Sequence, residues 1–343
     1  MGRAPSPSLP TALSQALVAF TIEFDNEFEH RVEHHTGNRK GAGVWLTSMV
    51  MWSNFMRLIP DGGVALHTVA ANGRITNLDG LKRWGYIRVD QADKTVHATL
   101  DGGRAQEVWR PLAAEIEGRW RRRFGDAAID ELRLALSPVA DSALPAYLPV
   151  VRYGDGMRAG HVRDAPGVEA EGLAALLSQP LLAFTLEYEE ESTLALAMNA
   201  NVVRELSTEG VPMRDLPNRS GVSKEAITAA VGFLKRNGYA VVEPESKVVR
   251  LTKEGLAERA QHTRIAKAVE QRWRKRLGDD FDRLAQALVT GRQLALGLQP
   301  YPDGWRASRN PYRARTEAVL ADPASALPQY PMVLHRGGYP DGS

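Results

Sequence analysis

Apolar residues recur at helical spacing in one stretch and the sequence turns β-rich in the next. Ala226, Ile227, Ala230, Val231 and Leu234 predict a helix over KEAITAAVGFLKRNG with one buried face. Ser223 is a good N-cap for it, Ser220-Gly221 makes a turn before it, and Gly238 ends it. Pro212 is placed to open a short preceding helix at its first position. YAVV and KVVRL then flank Pro244-Glu245-Ser246, which predicts a β-hairpin. Thr252 starts a further helix that runs through Trp273 to Leu277, and DDFDRLAQALVTGRQL forms a final one. Earlier in the chain the same plan is compressed into GVALHTVAANGRITNLDGLKRWG, with YIRV and TVHATL flanking Gln91-Ala92-Asp93-Lys94. The apolar stretch from Val44 to Ile59 is interrupted by Thr47, Ser48, Ser53, Asn54 and Arg57. A membrane span needs about 20 predominantly apolar residues, so this stretch reads as a buried helix.

The two plans share sequence. LSQALVAFTIEF from Leu13 returns as LSQPLLAFTLEY from Leu177, an offset of 164. Asn54-x-x-Arg57-x-Ile59 with Gly63-Val64 returns as Asn201-x-x-Arg204-x-Leu206 with Gly210-Val211, at 147. LKRWGY and RWRRRFGD return as LKRNGY and RWRKRLGD, both at 153, and SALPAY returns as SALPQY. Five blocks in one order read as an internal duplication. The first unit covers residues 11–153, a Gly- and Pro-containing linker 154–171, and the second unit 172–343 with a C-terminal extension. The first copy is shorter by six residues between Val64 and Leu81, inside its helix-turn-helix, and carries the Gly-rich insertion EHHTGNRKGAG.

Composition changes this picture little. Of 343 residues, 43% are hydrophobic and 24% charged, ordinary for a globular chain with a substantial core. A net charge of +2 neither demands nor excludes a nucleic-acid partner. With no cysteine, disulfides and thiolate metal sites are ruled out, which is compatible with a cytoplasmic location. The N-terminus lacks a clustered basic start and a small-residue cleavage site, so no signal peptide is read. Gly-x-Ser-x-Gly, a phosphate loop and His-Glu-x-x-His are absent, and no enzymatic site or cofactor is expected.

Helix, turn, helix and hairpin, with LKRNGY entering the hairpin and Leu251-Thr252-Lys253-Glu254-Gly255 leaving it, resemble the MarR family of winged helix-turn-helix transcriptional regulators. The resemblance covers most of 13–137 and 181–297. It implies a mainly α fold with small β-hairpin wings, and tandem winged helix-turn-helix repeats that form an intramolecular pseudo-dimer. It implies a recognition helix in the major groove of double-stranded DNA and a wing near the minor groove. The expected particle is a monomeric pseudo-dimer or a dimer of pseudo-dimers, with no membrane association. The function so implied is a DNA-binding regulator of repressor type, with a small apolar or aromatic effector as candidate ligand. The alternative is a winged-helix scaffold that binds protein or small molecules and has lost DNA binding.

In the second copy Ser223, Lys224 and Thr228 lie on the exposed face of the recognition helix, and Arg214, Asn218 and Arg219 precede it. Lys and Arg suit phosphates or guanine, Ser and Thr either phosphates or bases. The first copy offers Asn72, Arg74, Thr76 and Asn77. The wing tips, DQADKT and EPESKV, lack the arginine typical of the family, leaving Lys94, Lys247 and Arg250 for phosphates. Lys82, Arg83, Lys235 and Arg236 suit helix C-termini, as do RWRRRFG and RWRKRLG with Trp120 and Trp273 turned inward. Glu27, His30 and His34 share a helical face, but without a fourth ligand a solvated helix end is the better reading. Glu23 and Glu187 occupy matching positions at the start of an apolar helix. Trp45, Met49, Trp52, Phe55 and Met56 form an aromatic and Met-rich helix, either core or the lining of a ligand pocket that the Gly-rich insertion gates.

Overall fold

The computed structural model describes residues 7–31, 49–72, 78–83, 85–140, 144, 146, 172–222, 224–296, 321 and 327–330. It is mainly helical with two small antiparallel sheets. The N-terminal half contains α1 (Leu9–Arg31), α2 (Met49–Asn54), β1 (Val64–Ala65), α3 (Leu66–Asn72), α4 (Leu78–Arg83), β2 (Ile87–Val89), β3 (Thr95–Ala98), α5 (Leu100–Phe124) and α6 (Asp126–Leu136). In the C-terminal half are α7 (Leu173–Glu191), α8 (Leu196–Val203), β4 (Val211–Pro212), α9 (Leu216–Ser220), α10 (Lys224–Arg236), β5 (Ala240–Val242), β6 (Val248–Leu251), α11 (Lys253–Leu277) and α12 (Asp279–Leu296).

Each sheet has three strands, in the orders β1-β3-β2 and β4-β6-β5. The third strand does not show in the hydrophobic pattern. Pro212 lies in it, paired with Val248, and does not open a helix; α9 begins at Leu216. Two paired residues carry no period of their own, so only the partner strand defines them as β. Gly210 enters β4 at φ 84°, where a side chain would press on Val248 and Arg250. Gly63 enters β1 at φ 86° against His97 and Thr95, which accounts for the Gly-Val pair in both blocks. The region expected to form one helix from Val44 to Ile59 is shorter where it is described: α2, then a 3₁₀ turn over Met56–Leu58.

The core joins the halves. α1 packs against α7 and α12, and α12 against α6. One apolar cluster includes Phe20, Phe24 and Phe28 of α1, Trp120 of α5, Phe184 of α7, Trp273 of α11 and Phe281 of α12. A second cluster, built around Val202, Leu216, Ile227, Leu234 and Val249, supports the helices and sheet of the C-terminal half.

Polar ties recur in both halves. Trp120 Nε1–H and Arg123 donate to Glu23 at 3.1 and 2.7 Å. Trp273 Nε1–H and Arg276 donate to Glu187 at 2.9 and 2.7 Å. The basic blocks are thereby turned onto buried or half-buried carboxylates, which gives Glu23 and Glu187 a structural role. Burial nevertheless holds the Glu23 carboxyl above its ordinary pKa, against the pull of Arg123.

Glu117 of α5 accepts from the Leu173 N–H at the start of α7, at 3.0 Å. Glu270 of α11 accepts from the Leu9 N–H at the start of α1, at 2.9 Å. Each half thus caps the first helix of the other, where unpaired N–H groups and the helix dipole favour a carboxylate. Glu117 also accepts from Arg133 at 2.9 Å and Arg121 at 3.4 Å. Glu117→Ala is therefore expected to cost about 2 kcal/mol in denaturant unfolding, and Glu270→Ala less, since no arginine partner is orphaned. Equal losses would show that the arginine contacts contribute nothing.

Candidate functional site

The amphipathic helix α10 buries Ala226, Ile227, Ala230, Val231 and Leu234 and turns Lys224 and Thr228 outward. Thr228 donates to the Lys224 carbonyl at 2.9 Å, one turn back, while Lys224 itself reaches into solvent. On α9 and the turn before it, Arg214, Asn218 and Arg219 are also exposed. Arg214 lies 3.5 Å from Asp215 and Arg219 lies 3.8 Å from Glu205, with both side chains more than half exposed. These are screened contacts of little strength, so both guanidinium groups remain available to an anion. Ser223 lies outside the described residues. The structure therefore brings Arg214, Asn218, Arg219, Lys224 and Thr228 to the outer side of one helix pair.

The wing tips divide. Lys247 is exposed at φ 53° in the tight turn, and Lys94 holds the matching conformation at φ 58°. Lys94 Nζ donates to Gln91 Oε1 at 2.9 Å. Asp90 and Asp93 close that first turn by accepting from Ala92 and Thr95 N–H, both within 2.9 Å. Arg250 faces inward along the sheet instead. It donates to Glu243 at 2.8 Å and to the Thr208 carbonyl at 3.1 Å, and it also contacts the Glu209 carbonyl. The Ser246 hydroxyl, which donates to Glu243 at 2.5 Å, and then Arg250 hold the Glu243 carboxylate below its ordinary pKa, and the Arg250 bonds fasten β6 to the turn before β4.

In the N-terminal half α4 is described over Leu78–Arg83, and residues 73–77 and 84 on either side lie outside the described residues. Arg74, Thr76 and Asn77 lie outside the described residues, and Asn72 is placed at the end of α3 by its backbone. Lys82 is exposed.

Of the aromatic and Met-rich set, Met49, Phe55 and Met56 are buried, and Trp52 keeps partial exposure. Trp45 lies outside the described residues. Trp52 packs 5.8 Å from a ring that sequence reasoning does not single out, that of Trp109 on α5. Trp109 is fully buried, stacks on Phe28 at 4.5 Å and contacts Tyr86 at 6.0 Å. Its indole N–H has no hydrogen-bond partner among the described residues. Its signal in the sequence is spacing alone: Ala105, Trp109, Leu112 and Ile116 recur at helical intervals along α5.

The C-terminal half is polar at the corresponding depth. Tyr188 of α7 lies 2.6 Å from His262 Nδ1 of α11, and the Ser192 hydroxyl donates to Tyr188 at 2.8 Å. Tyr330 packs edge-on to His262 at 5.2 Å. Asn201 holds that C-terminal segment: its Oδ1 accepts from Gln329 and Tyr330 N–H at 2.9 and 3.1 Å, and its Nδ2 donates to the Tyr330 carbonyl at 3.1 Å. Burial lowers the His262 pKa to about 4 and raises that of Tyr188. None of Tyr188, Ser192 or His262 is a sequence candidate. The available signal is their difference from Phe24, Phe28 and Trp109 at the repeat offsets.

Glu27, one of the three residues sharing a helical face, is not solvated: it is buried and paired with Arg31 and Arg119, each at 2.6 Å. His34 and the side chain of His30 lie outside the described residues. Among the described residues no group of three or more His, Asp or Glu is arranged to hold a metal ion, and no helix is long and apolar enough to cross a membrane. No family model matches this chain, and no curated protein or solved structure is significantly similar to it.

Proposed function

We propose that this protein is a DNA-binding transcriptional regulator resembling the MarR type, acting as a repressor. The observation that carries the reading is the outer side of α9 and α10. There Arg214, Arg219 and Lys224 stand exposed around a helix whose opposite face is wholly buried. A helix so mounted fits the major groove, with the cations on phosphates and Asn218 and Thr228 within reach of base edges. Lys247 at the wing tip supplies a further phosphate contact. The two halves are read as tandem winged helix-turn-helix units in an intramolecular pseudo-dimer. The reciprocal caps of Glu117 on Leu173 and Glu270 on Leu9 support this, since a twofold arrangement exchanges the same contact in both directions. The Trp52–Trp109 cluster is the proposed seat of an apolar or aromatic effector, with the unpaired indole N–H as its polar anchor.

A second reading, a winged-helix scaffold without DNA binding, is favoured by Arg250. That arginine is engaged by Glu243 and backbone carbonyls and leaves the wing with a single exposed lysine.

Fluorescence anisotropy with duplex DNA from around the protein's own gene, across a salt series, separates the two. The regulator reading expects Lys224→Ala to weaken binding about tenfold and to reduce the salt slope by about 0.9. Lys94→Ala, on the wing of the half whose helix-turn-helix is six residues shorter in sequence, should change affinity much less. Binding that is absent, or unchanged in Lys224→Ala, would favour the scaffold.

A further inference from the structure

Two buried groups of the C-terminal half have hydrogen-bonding capacity that no described residue takes up. Asn199 on α8 is wholly buried, and neither its Oδ1 nor its Nδ2 has a partner among the described residues. The second group is His262. Leu194 N–H donates to Ser192 Oγ at 3.1 Å, and the Ser192 hydroxyl donates to Tyr188. The single Tyr188 proton is then directed to His262 Nδ1, which places the imidazole proton on Nε2. No hydrogen bond joins that Nε2–H to another described residue.

In the N-terminal half the positions that correspond to these two by the repeat are neighbours. At the repeat offsets Asn199 stands where Trp52 stands, and His262 where Trp109 stands. The two tryptophan rings lie 5.8 Å apart. The frame around them is shared: Asp25 accepts from the Met49 N–H at 2.7 Å, and Glu189 accepts from the Leu196 N–H at 3.0 Å. Ser192 likewise stands for Phe28. Three large apolar rings in one half thus give way to three smaller polar side chains in the other. Burying an amide without partners is costly, and each such group in a native protein calls for an occupant that satisfies it.

We propose that Asn199 and His262 form a binding site, in the C-terminal half, for a small uncharged carboxamide. A primary amide presents an N–H donor and a carbonyl acceptor side by side, which complements the acceptor and donor of the Asn199 side chain. The second lone pair of the ligand carbonyl suits the His262 Nε2–H. A carboxylate of the same shape lacks the N–H donor that the Asn199 carbonyl needs. Arg204, just past the end of α8, acts on Tyr330 beside His262, but its charge is already paired with Glu205 at 3.0 Å. The inference is independent of DNA binding.

Calorimetric titration of the full chain with benzamide and with benzoate tests it. The expected result is one benzamide site with a Kd no weaker than about 1 mM, and at least about tenfold weaker binding of benzoate. Asn199→Leu should lose benzamide affinity by about tenfold or more. Should that variant fail to fold, Asn199→Ala reads the same loss. Equal affinity for benzoate, binding that survives the loss of the Asn199 amide, or no benzamide binding in this range would each overturn the proposal.

Discussion

Gly255→Ala is expected to destabilise the C-terminal half by about 3 kcal/mol, the upper end of the usual range for forced overpacking. The glycine sits in the first turn of α11, where an added Cβ would fall well inside contact distance of the Tyr239 carbonyl oxygen and carbon. That carbonyl is fixed because it accepts from the Thr252 N–H at 3.0 Å. Thr252 in turn caps α11 by accepting from the Gly255 N–H at 3.0 Å and donates to the Gly238 carbonyl at 2.8 Å. The start of the long helix is therefore clasped to the end of α10 and the start of β5, and neither side can retreat alone. Gly102 meets the Tyr86 carbonyl in the same way in the N-terminal half. Gly103 provides the contrast, since it lies on α5 with open space beside it. Gly103→Ala should be neutral or stabilising by up to about 1 kcal/mol, because alanine loses less backbone entropy in a helix. Urea unfolding of the Gly255, Gly102 and Gly103 alanine variants checks the argument. A Gly255→Ala protein as stable as its parent would show that the clasp yields without cost.

The second large effect is a loss of stability in mild acid. His262 titrates near 4 in the folded chain because burial disfavours its charged form, against an ordinary value of 6.5. Between these values the unfolded chain binds a proton that the folded chain refuses. Stability is thus fully present above about pH 6.5, declines as the pH falls, and levels off below about 4. The full difference is on the order of 3 kcal/mol. Glu115, Glu131 and Glu243 have folded pKa values lowered by their arginine and serine partners, so their contributions fade only at lower pH. Glu23, raised by burial, takes up its proton in the folded chain first and offsets part of this loss between about pH 6.5 and 5, so the His262 contribution is the difference between the parent and His262→Phe over this interval. Urea midpoints across this interval should fall in the parent protein and run flatter in His262→Phe. Profiles of equal slope in the two proteins would mean that His262 becomes solvated before it charges.

The order of helices and hairpins is legible in the sequence because each signal is local. Gly238 ends α10 and Thr252 caps α11 within a few residues of the groups they satisfy. The apolar spacing of α10 states its own buried face, and with it the outward position of Lys224 and Thr228. The repeat blocks are legible too, but not the reasons for them.

Tertiary structure alone decided those reasons. Glu23 meets Trp120 and Arg123 across 97 and 100 positions of chain, so nothing in RWRRRFGD indicates that its charge turns inward. Arg250 is basic and near a wing tip, yet the fold leads it back to Glu243 and the carbonyl before β4. The cap of Leu9 by Glu270 joins residues 261 apart. Such pairings depend on where helices cross, and helix crossings are set by whole apolar faces rather than by any one residue. The burial of Asn199 follows from the same packing: only the helices packed around α8 close it off from water.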